Sequence, residues 1–273
     1  MSSPSPLLDA RVHRLREVAH ADPRLDGVVL YGSWTLGEAD AHSDIEAYVF
    51  VLDEHLDEFD GAEFVSRLAP LLLAYTNMFG ILAVVFDDLM RGEFHVEPAS
   101  GSAEQLAGWR GLVRLPKPDR AVLLDRRGLL GPVAKELADV PAPDEAATAR
   151  QLVDELTNWT LMVTQVLARG ETARAHAGLA SMVAPHQLKL CRLLRGSTEH
   201  WLTPSRALEA DLPAEDVARY AATTSTLDPA SVRAAVRESW RWSRELADEA
   251  AARWGLAPAE RLHQDITELL REG

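Results

Sequence analysis

Apolar and polar positions along this chain follow two different rhythms. Residues 10–21 return Val12, Leu15, Val18 and Ala19 to one side at helical spacing. A short apolar run, Val28-Val29-Leu30-Tyr31, then ends in Gly32-Ser33, as a buried strand would. Residues 44–52, Asp-Ile-Glu-Ala-Tyr-Val-Phe-Val-Leu, are rich in β-branched and aromatic side chains and predict a second strand. The spacing predicts a helix over 63–75, a third strand over 80–86 and a fourth over 93–97 after a turn at Arg91-Gly92. Interleaved strands and helices point to a small α/β or α+β sheet domain.

From Pro98 to Pro143 the chain is dense in glycine and proline and reads as a connecting region, with a further edge strand at Val122-Leu123-Leu124-Asp125. Beyond it the rhythm is helical throughout. One helix over 147–169 closes on Gly170, another over 185–195 closes on Gly196, and Pro213 opens a third at its first position. Asp228-Pro229 caps a long helix carrying Val232, Val236, Trp240, Leu246, Ala250 and Trp254, and a last helix covers 258–270. The expected organisation is therefore two domains, 1–140 and 141–273, without solenoid repeats.

Charge narrows the possible partners. With 28 Lys and Arg against 42 Asp and Glu among 273 residues, the net charge is −14. Such a surface repels phosphate backbones and anionic lipid, so neither a nucleic-acid coat nor a membrane-surface protein is expected. The most apolar stretch, 71–86, is broken by Thr76, Asn77 and Gly80 and is too short to span a bilayer. Residues 1–8 lack the basic start and apolar run of a secretory signal, and the single cysteine, Cys191, excludes an intramolecular disulfide. A cytoplasmic location is the expectation.

The segment from Gly32 to Glu46 carries the chemistry. A strand delivers Gly32-Ser33 into a turn, and a second strand opens acid–apolar–acid with Asp44-Ile45-Glu46. Side chains alternate along a strand, so Asp44 and Glu46 point one way and Ile45 the other, into the core. Two neighbouring carboxylates repel unless a cation lies between them, and hard oxygen ligands suit Mg²⁺. Gly32 and Ser33 admit backbone N–H groups close to a triphosphate, helped by a helix that starts at Thr35. Each piece alone reads as a solvated strand edge or an ordinary turn; the order and spacing together favour a site.

Gly-Ser followed some eleven residues later by Asp-Ile-Glu resembles the signature of the polymerase-β-like nucleotidyltransferase superfamily. Leu30-Tyr31-Gly32-Ser33-Trp34-Thr35, Gly37-Glu38, Ser43-Asp44-Ile45-Glu46 and Phe86-Asp87 through Arg91-Gly92-Glu93-Phe94-His95 look more closely like the lincosamide nucleotidyltransferases. The likeness continues at Arg169-Gly170-Glu171, Ala173-Arg174 and His200-Trp201 through Glu209. It implies an α+β chain: a palm of small mixed sheet flanked by helices, followed by a helical bundle that closes the cleft and contacts the drug. It implies transfer of AMP from ATP to a lincosamide hydroxyl, with Mg²⁺ and release of pyrophosphate, and it favours a homodimer. Leu82 and Ala47 depart from the family pattern, standing where an acid and an aromatic are usual.

Nucleotidyl transfer calls for a further carboxylate, to complete the metal site or to deprotonate the attacking hydroxyl. Glu93 is the first choice, because it opens the fourth strand and shares a face with His95 while Phe94 turns to the core. Asp87 and Asp88 read rather as a helix N-cap ahead of Leu89-Met90. His95, Arg174 and His200 are candidate substrate contacts, and Lys189 and Arg192 are further basic candidates. Trp34 reads either as a base-stacking or a packing residue, Trp240, Trp242 and Trp254 as core or interface, and Cys191 as a small buried residue. The nine histidines include no helical His-x-x-x-His pair that would suggest zinc. Two other readings remain open: the same chemistry on an aminoglycoside or other small alcohol, or a palm fold without turnover, such as a toxin–antitoxin component that binds nucleotide or a partner.

Overall fold

A computed structural model describes residues 5–139 and 144–272, which form two compact units. The boundary expected between residues 140 and 141 lies outside the described residues.

The first unit is a six-stranded mixed sheet between helices. Its elements are α1 (Pro6–Ala21), β1 (Leu25–Leu30), α2 (Ser33–Leu36), β2 (Ile45–Val51), a 3₁₀ turn (Asp53–Glu58), α3 (Gly61–Ser66), β3 (Leu71–Thr76), β4 (Leu82–Phe86), β5 (Arg91–Pro98), α4 (Ser102–Ala107), α5 (Pro118–Ala121), β6 (Val122–Asp125) and α6 (Leu130–Glu136). Strand order is β3-β4-β5-β2-β1-β6, and the β2–β5 pair is parallel while its neighbours are antiparallel.

The alternation expected of β2 and β5 holds. Ile45, Ala47, Val49 and Phe94 are buried on one face, under Leu8, Val12 and Leu15 of α1 and Phe64 and Val65 of α3. Each fully buried side chain of this size contributes about 1.5–3 kcal/mol relative to exposure. On the opposite face Val29 and Phe50 pack beneath Leu106, Trp109, Ala121, Leu130 and Ala134 from the α4–α6 layer.

Three expectations for the first unit need correction. Residues 63–75 are not one helix: α3 ends at Ser66, Pro70 intervenes, and Leu71–Thr76 is β3, paired with β4 across the turn at Asn77–Gly80. The 80–86 and 93–97 strands are thus the fourth and fifth. Residues 98–139 are not a mere connector, because α4–α6 cover one sheet face and β6 forms its edge beside β1. No helix starts at Asp87 or Asp88; Asp88 Oδ1 accepts from the Met90 backbone N–H, and its Oδ2 accepts from Arg11.

The second unit is helical: α7 (Glu145–Ala168), α8 (Thr172–Gly178), a π-helical turn (Leu179–Val183), α9 (Ala184–Arg195), α10 (Leu208–Asp211), α11 (Ala214–Ala222), α12 (Pro229–Trp254) and α13 (Glu260–Glu272). Its core is built mainly from α7, α9 and α12, with Leu156, Val163, Leu190, Cys191, Val236 and Trp240 buried together. Asp228 caps α12 by accepting from the Ser231 backbone N–H, with Pro229 at the first helical position, as expected. Pro213 is the N-cap of α11 rather than its first helical residue.

Candidate active site

The candidate site lies where β1, β2 and β5 present their Glu46-bearing face. Glu46 on β2 stands in register with Glu93 on β5, and Tyr48 with His95. In a parallel pair, residues in register share a face, so these four half-exposed side chains line one side of the sheet. Asp44 lies two residues before Glu46 and is held by Arg91. The Arg91 guanidinium is 3.9 Å from the Asp44 carboxylate and 3.3 Å from that of Glu93.

Gly32 follows β1 and closes the site. Its φ of 77° and ψ of −158° suit glycine, and it caps α2, which begins at Ser33. A Cβ at Gly32 would fall 1.7 Å from Glu46 Oε2. The Tyr31 backbone N–H donates to the Glu46 carbonyl at 3.2 Å, which sets the turn against the second strand. Thr35 is buried and its hydroxyl donates to the Gly32 carbonyl at 2.8 Å, so its side chain holds the turn.

An aromatic group borders the acids. Tyr48 and His95 stack with centroids 3.9 Å apart, Trp109 lies 4.6 Å from Tyr48, and the Tyr31 hydroxyl is 3.1 Å from His95 Nε2. Burial, followed by the charges of Glu46, Glu93 and Asp44, pushes the Tyr31 phenol well above its ordinary range. Tyr31 therefore stays protonated beside the three carboxylates. Burial lowers the His95 imidazole and keeps it neutral at pH 7.

Asp44, Glu46 and Glu93 thus lie at one sheet face, together with His95 and the Gly32 turn that leads into Ser33. The donor chemistry fits a hard divalent cation: carboxylate oxygens on one face, and a glycine leaving Glu46 unobstructed. The geometry is not that of a finished metal site. Among the described residues no group of three or more His, Cys, Asp or Glu side chains is arranged to hold a metal ion. Arg91 supplies the positive charge instead.

The other candidates lie elsewhere. Arg174 is exposed and pairs with Glu171 at 3.1 Å in the helical unit. His200 Nδ1 lies 2.6 Å from Asp211 Oδ2, which also accepts from Arg192. Arg192 is fully buried and its guanidinium donates to the Pro204 and Arg206 carbonyls, so it fastens the 197–211 loop. Lys189 lies over the Trp201 ring. Trp34 donates to Asp9 and is covered by Arg120. Cys191 is buried, and that burial raises its thiol to about 12.

Sequence reasoning missed Tyr31, Tyr48, Trp109 and Arg91. Strand alternation could have found two of them, because Tyr48 follows Glu46 and Arg91 precedes Glu93 by two. The same alternation disposes of both departures from the family pattern. Ala47 is buried on the α1 side, and Leu82, opposite Phe94, packs toward that core, so neither side chain reaches the acidic face. The β4 residue in register with Glu93 is Ala83.

No curated protein matches the chain. Among solved structures, an aminoglycoside 6-adenyltransferase from Bacillus subtilis is similar at 14% identity and a TM-score of 0.43, covering 96% of this chain and 97% of that one. A nucleotidyltransferase-like protein from Exiguobacterium sibiricum 255-15 is similar at 12% identity and a TM-score of 0.40, covering 88% and 77%. Likenesses this loose say nothing of substrate. Residues 145–268 match the family described as lincosamide nucleotidyltransferase-like, C-terminal domain. That match covers the helical half of the chain, which is similar to the C-terminal domain of that family.

Proposed function

We propose that the chain is a cytoplasmic, homodimeric adenylyltransferase that moves AMP from ATP to a hydroxyl of a lincosamide such as lincomycin or clindamycin, with Mg²⁺. The observation that carries this reading is the in-register pair Glu46–Glu93, with Asp44 tied to the same face through Arg91. Three carboxylates beside a glycine turn are costly to gather without a cation to receive.

Asp44 and Glu46, with Glu93, would hold the metal, which would supply the positive charge that neutralises the triphosphate. Gly32 and Ser33 bring backbone rather than bulk to the phosphates. The acceptor oxygen attacks the α-phosphorus, the α–β phosphoanhydride bond breaks and pyrophosphate leaves in line. Glu93 either completes that metal site or takes the proton of the attacking hydroxyl. Tyr31, protonated and hydrogen-bonded to His95, fixes the imidazole so that His95 can contact the substrate beside Glu93. Arg174 and His200 are the candidate drug contacts of the helical unit.

Mass spectrometry of lincomycin and clindamycin incubated with ATP, Mg²⁺ and the protein tests the reading. The expected product carries one added AMP. Adenylylation of an aminoglycoside alone would keep the chemistry and overturn the acceptor; no adenylylated product from a wide panel of alcohols would overturn the enzyme.

A further inference from the structure

β3 is an outer strand of the sheet, and it is dressed for contact rather than for water. Leu72, Leu73 and Tyr75 are 65%, 49% and 52% exposed, and Met78 and Phe79 on the following turn are 89% and 77% exposed. That turn is built, not frayed. The Asn77 N–H donates to the Ile81 carbonyl at 2.8 Å, and Asn77 Oδ1 accepts from the N–H groups of Phe79 and Ile81 at 2.9 and 3.1 Å. A defined turn thus holds two large apolar side chains outward.

Charge selects the occupant. No Asp, Glu, Lys or Arg occurs between Arg67 and Asp87, although the whole chain carries −14. Two copies repel each other over most of their surfaces and can approach closely only where charge is missing. Exposed edges are usually guarded by charged side chains, proline or bulges. Here the irregularity is confined to Leu71/Leu73, and the regular stretch Leu73–Thr76 carries no guard. An antiparallel pair of identical strands has two-fold symmetry and satisfies both free edges at once.

We propose that β3 and the Asn77–Gly80 turn form the homodimer interface, with β3 of two copies paired edge to edge and antiparallel. Leu73 and Tyr75 meet their counterparts on one face, and Met78 and Phe79 pack over the partner strand. Five large side chains, each about half to nine-tenths exposed, supply a good part of the roughly 800 Å² per partner that a standard interface buries. The proposal rests on the homodimer named under the proposed function and adds the surface that makes it.

The test uses the full chain. Light scattering at micromolar concentration is expected to give a dimer for the wild type and a monomer with unchanged circular dichroism for the Leu73→Glu/Tyr75→Glu double variant. Because Cys191 is fully buried, Ala74→Cys presents one reactive thiol per copy, and copper–phenanthroline oxidation is expected to yield a covalent dimer. A wild-type monomer overturns the homodimer and the surface together. A dimer that persists in the double variant overturns the surface alone, and a dimer in which Ala74→Cys does not cross-link overturns the edge pairing.

Discussion

Glu46 and Glu93 occupy the same rung of the ladder between β2 and β5, two negative charges on adjacent strands pointing the same way. Like charges placed directly opposite each other destabilise a sheet, and Arg91 only partly relieves this pair because its side chain is 64% exposed. Glu93→Gln is therefore expected to raise the unfolding midpoint, equivalent to about 0.2–1 kcal/mol. The same change is expected to cut adenylyl transfer by about 10²–10⁴-fold. Urea titration and initial rates on one preparation check both. Equal activity with unchanged stability would remove Glu93 from the site.

Asp44 should matter to ligand-linked stability more than to the fold. Its side chain is partly exposed and its ion pair with Arg91 is long, at 3.9 Å. ATP with Mg²⁺ at about a hundred times its dissociation constant stabilises a protein by about 2.7 kcal/mol. Differential scanning fluorimetry is expected to show that shift for the wild type and to lose most of it in Asp44→Asn, with the ligand-free midpoint little changed.

Gly32 is intolerant for two separate reasons. An alanine there must adopt a positive φ, and its Cβ would meet the Glu46 carboxylate at 1.7 Å. Gly32→Ala is expected to cost about 1–3 kcal/mol of stability and to displace Glu46. Reduced stability together with a lost ATP·Mg²⁺ thermal shift is the expected pair of results, and a variant with full activity would exclude close contact between this turn and the nucleotide.

The helical unit contains a buried histidine, His263, whose protonation is expected to couple to stability. The Thr157 hydroxyl donates to the Val153 carbonyl, so its oxygen accepts from His263 Nε2–H at 2.9 Å, which leaves His263 Nδ1 unprotonated and buried with no hydrogen-bond partner among the described residues. Burial and the Arg244 charge lower the imidazole, against Glu260, Asp248 and Asp154. A base whose folded value is depressed contributes stability above its unfolded value of about 6.5 and loses it as pH falls. Urea midpoints are expected to decline between pH 7 and 5 in the wild type and more shallowly in His263→Gln; parallel slopes would exclude His263 as the source.

Much of the sheet was legible because strand alternation is a strong signal where one face is buried. It placed Ile45 and Phe94 in the core, and Asp44, Glu46 and Glu93 on the other side, before any pairing was known. β3 was illegible for the opposite reason. Leu71-Leu72-Leu73-Ala74-Tyr75 is apolar on both faces of an edge, so it has no period of two, and Pro70 was a weaker cue than the helical run before it. Tyr48 and Trp109 escaped notice because their meeting depends on α4–α6, a glycine- and proline-rich stretch whose short helices carry little periodicity of their own. The in-register partnership of Glu46 with Glu93 is a property of strand pairing, which no local pattern reveals.

The parallel pairing of β2 with β5 also has a kinetic consequence. Parallel neighbours cannot be joined by a tight turn, and the chain between them must first lay down α3 and the β3–β4 hairpin. Closing so long an excursion is paid for in entropy before the contact returns anything, so this seam zips after the β1–β2, β3–β4 and β4–β5 pairs, and only the β1–β6 pair spans more chain. The candidate carboxylates Glu46 and Glu93 are consequently strangers to one another until the more local pairings have formed, and the acidic face takes shape only after them.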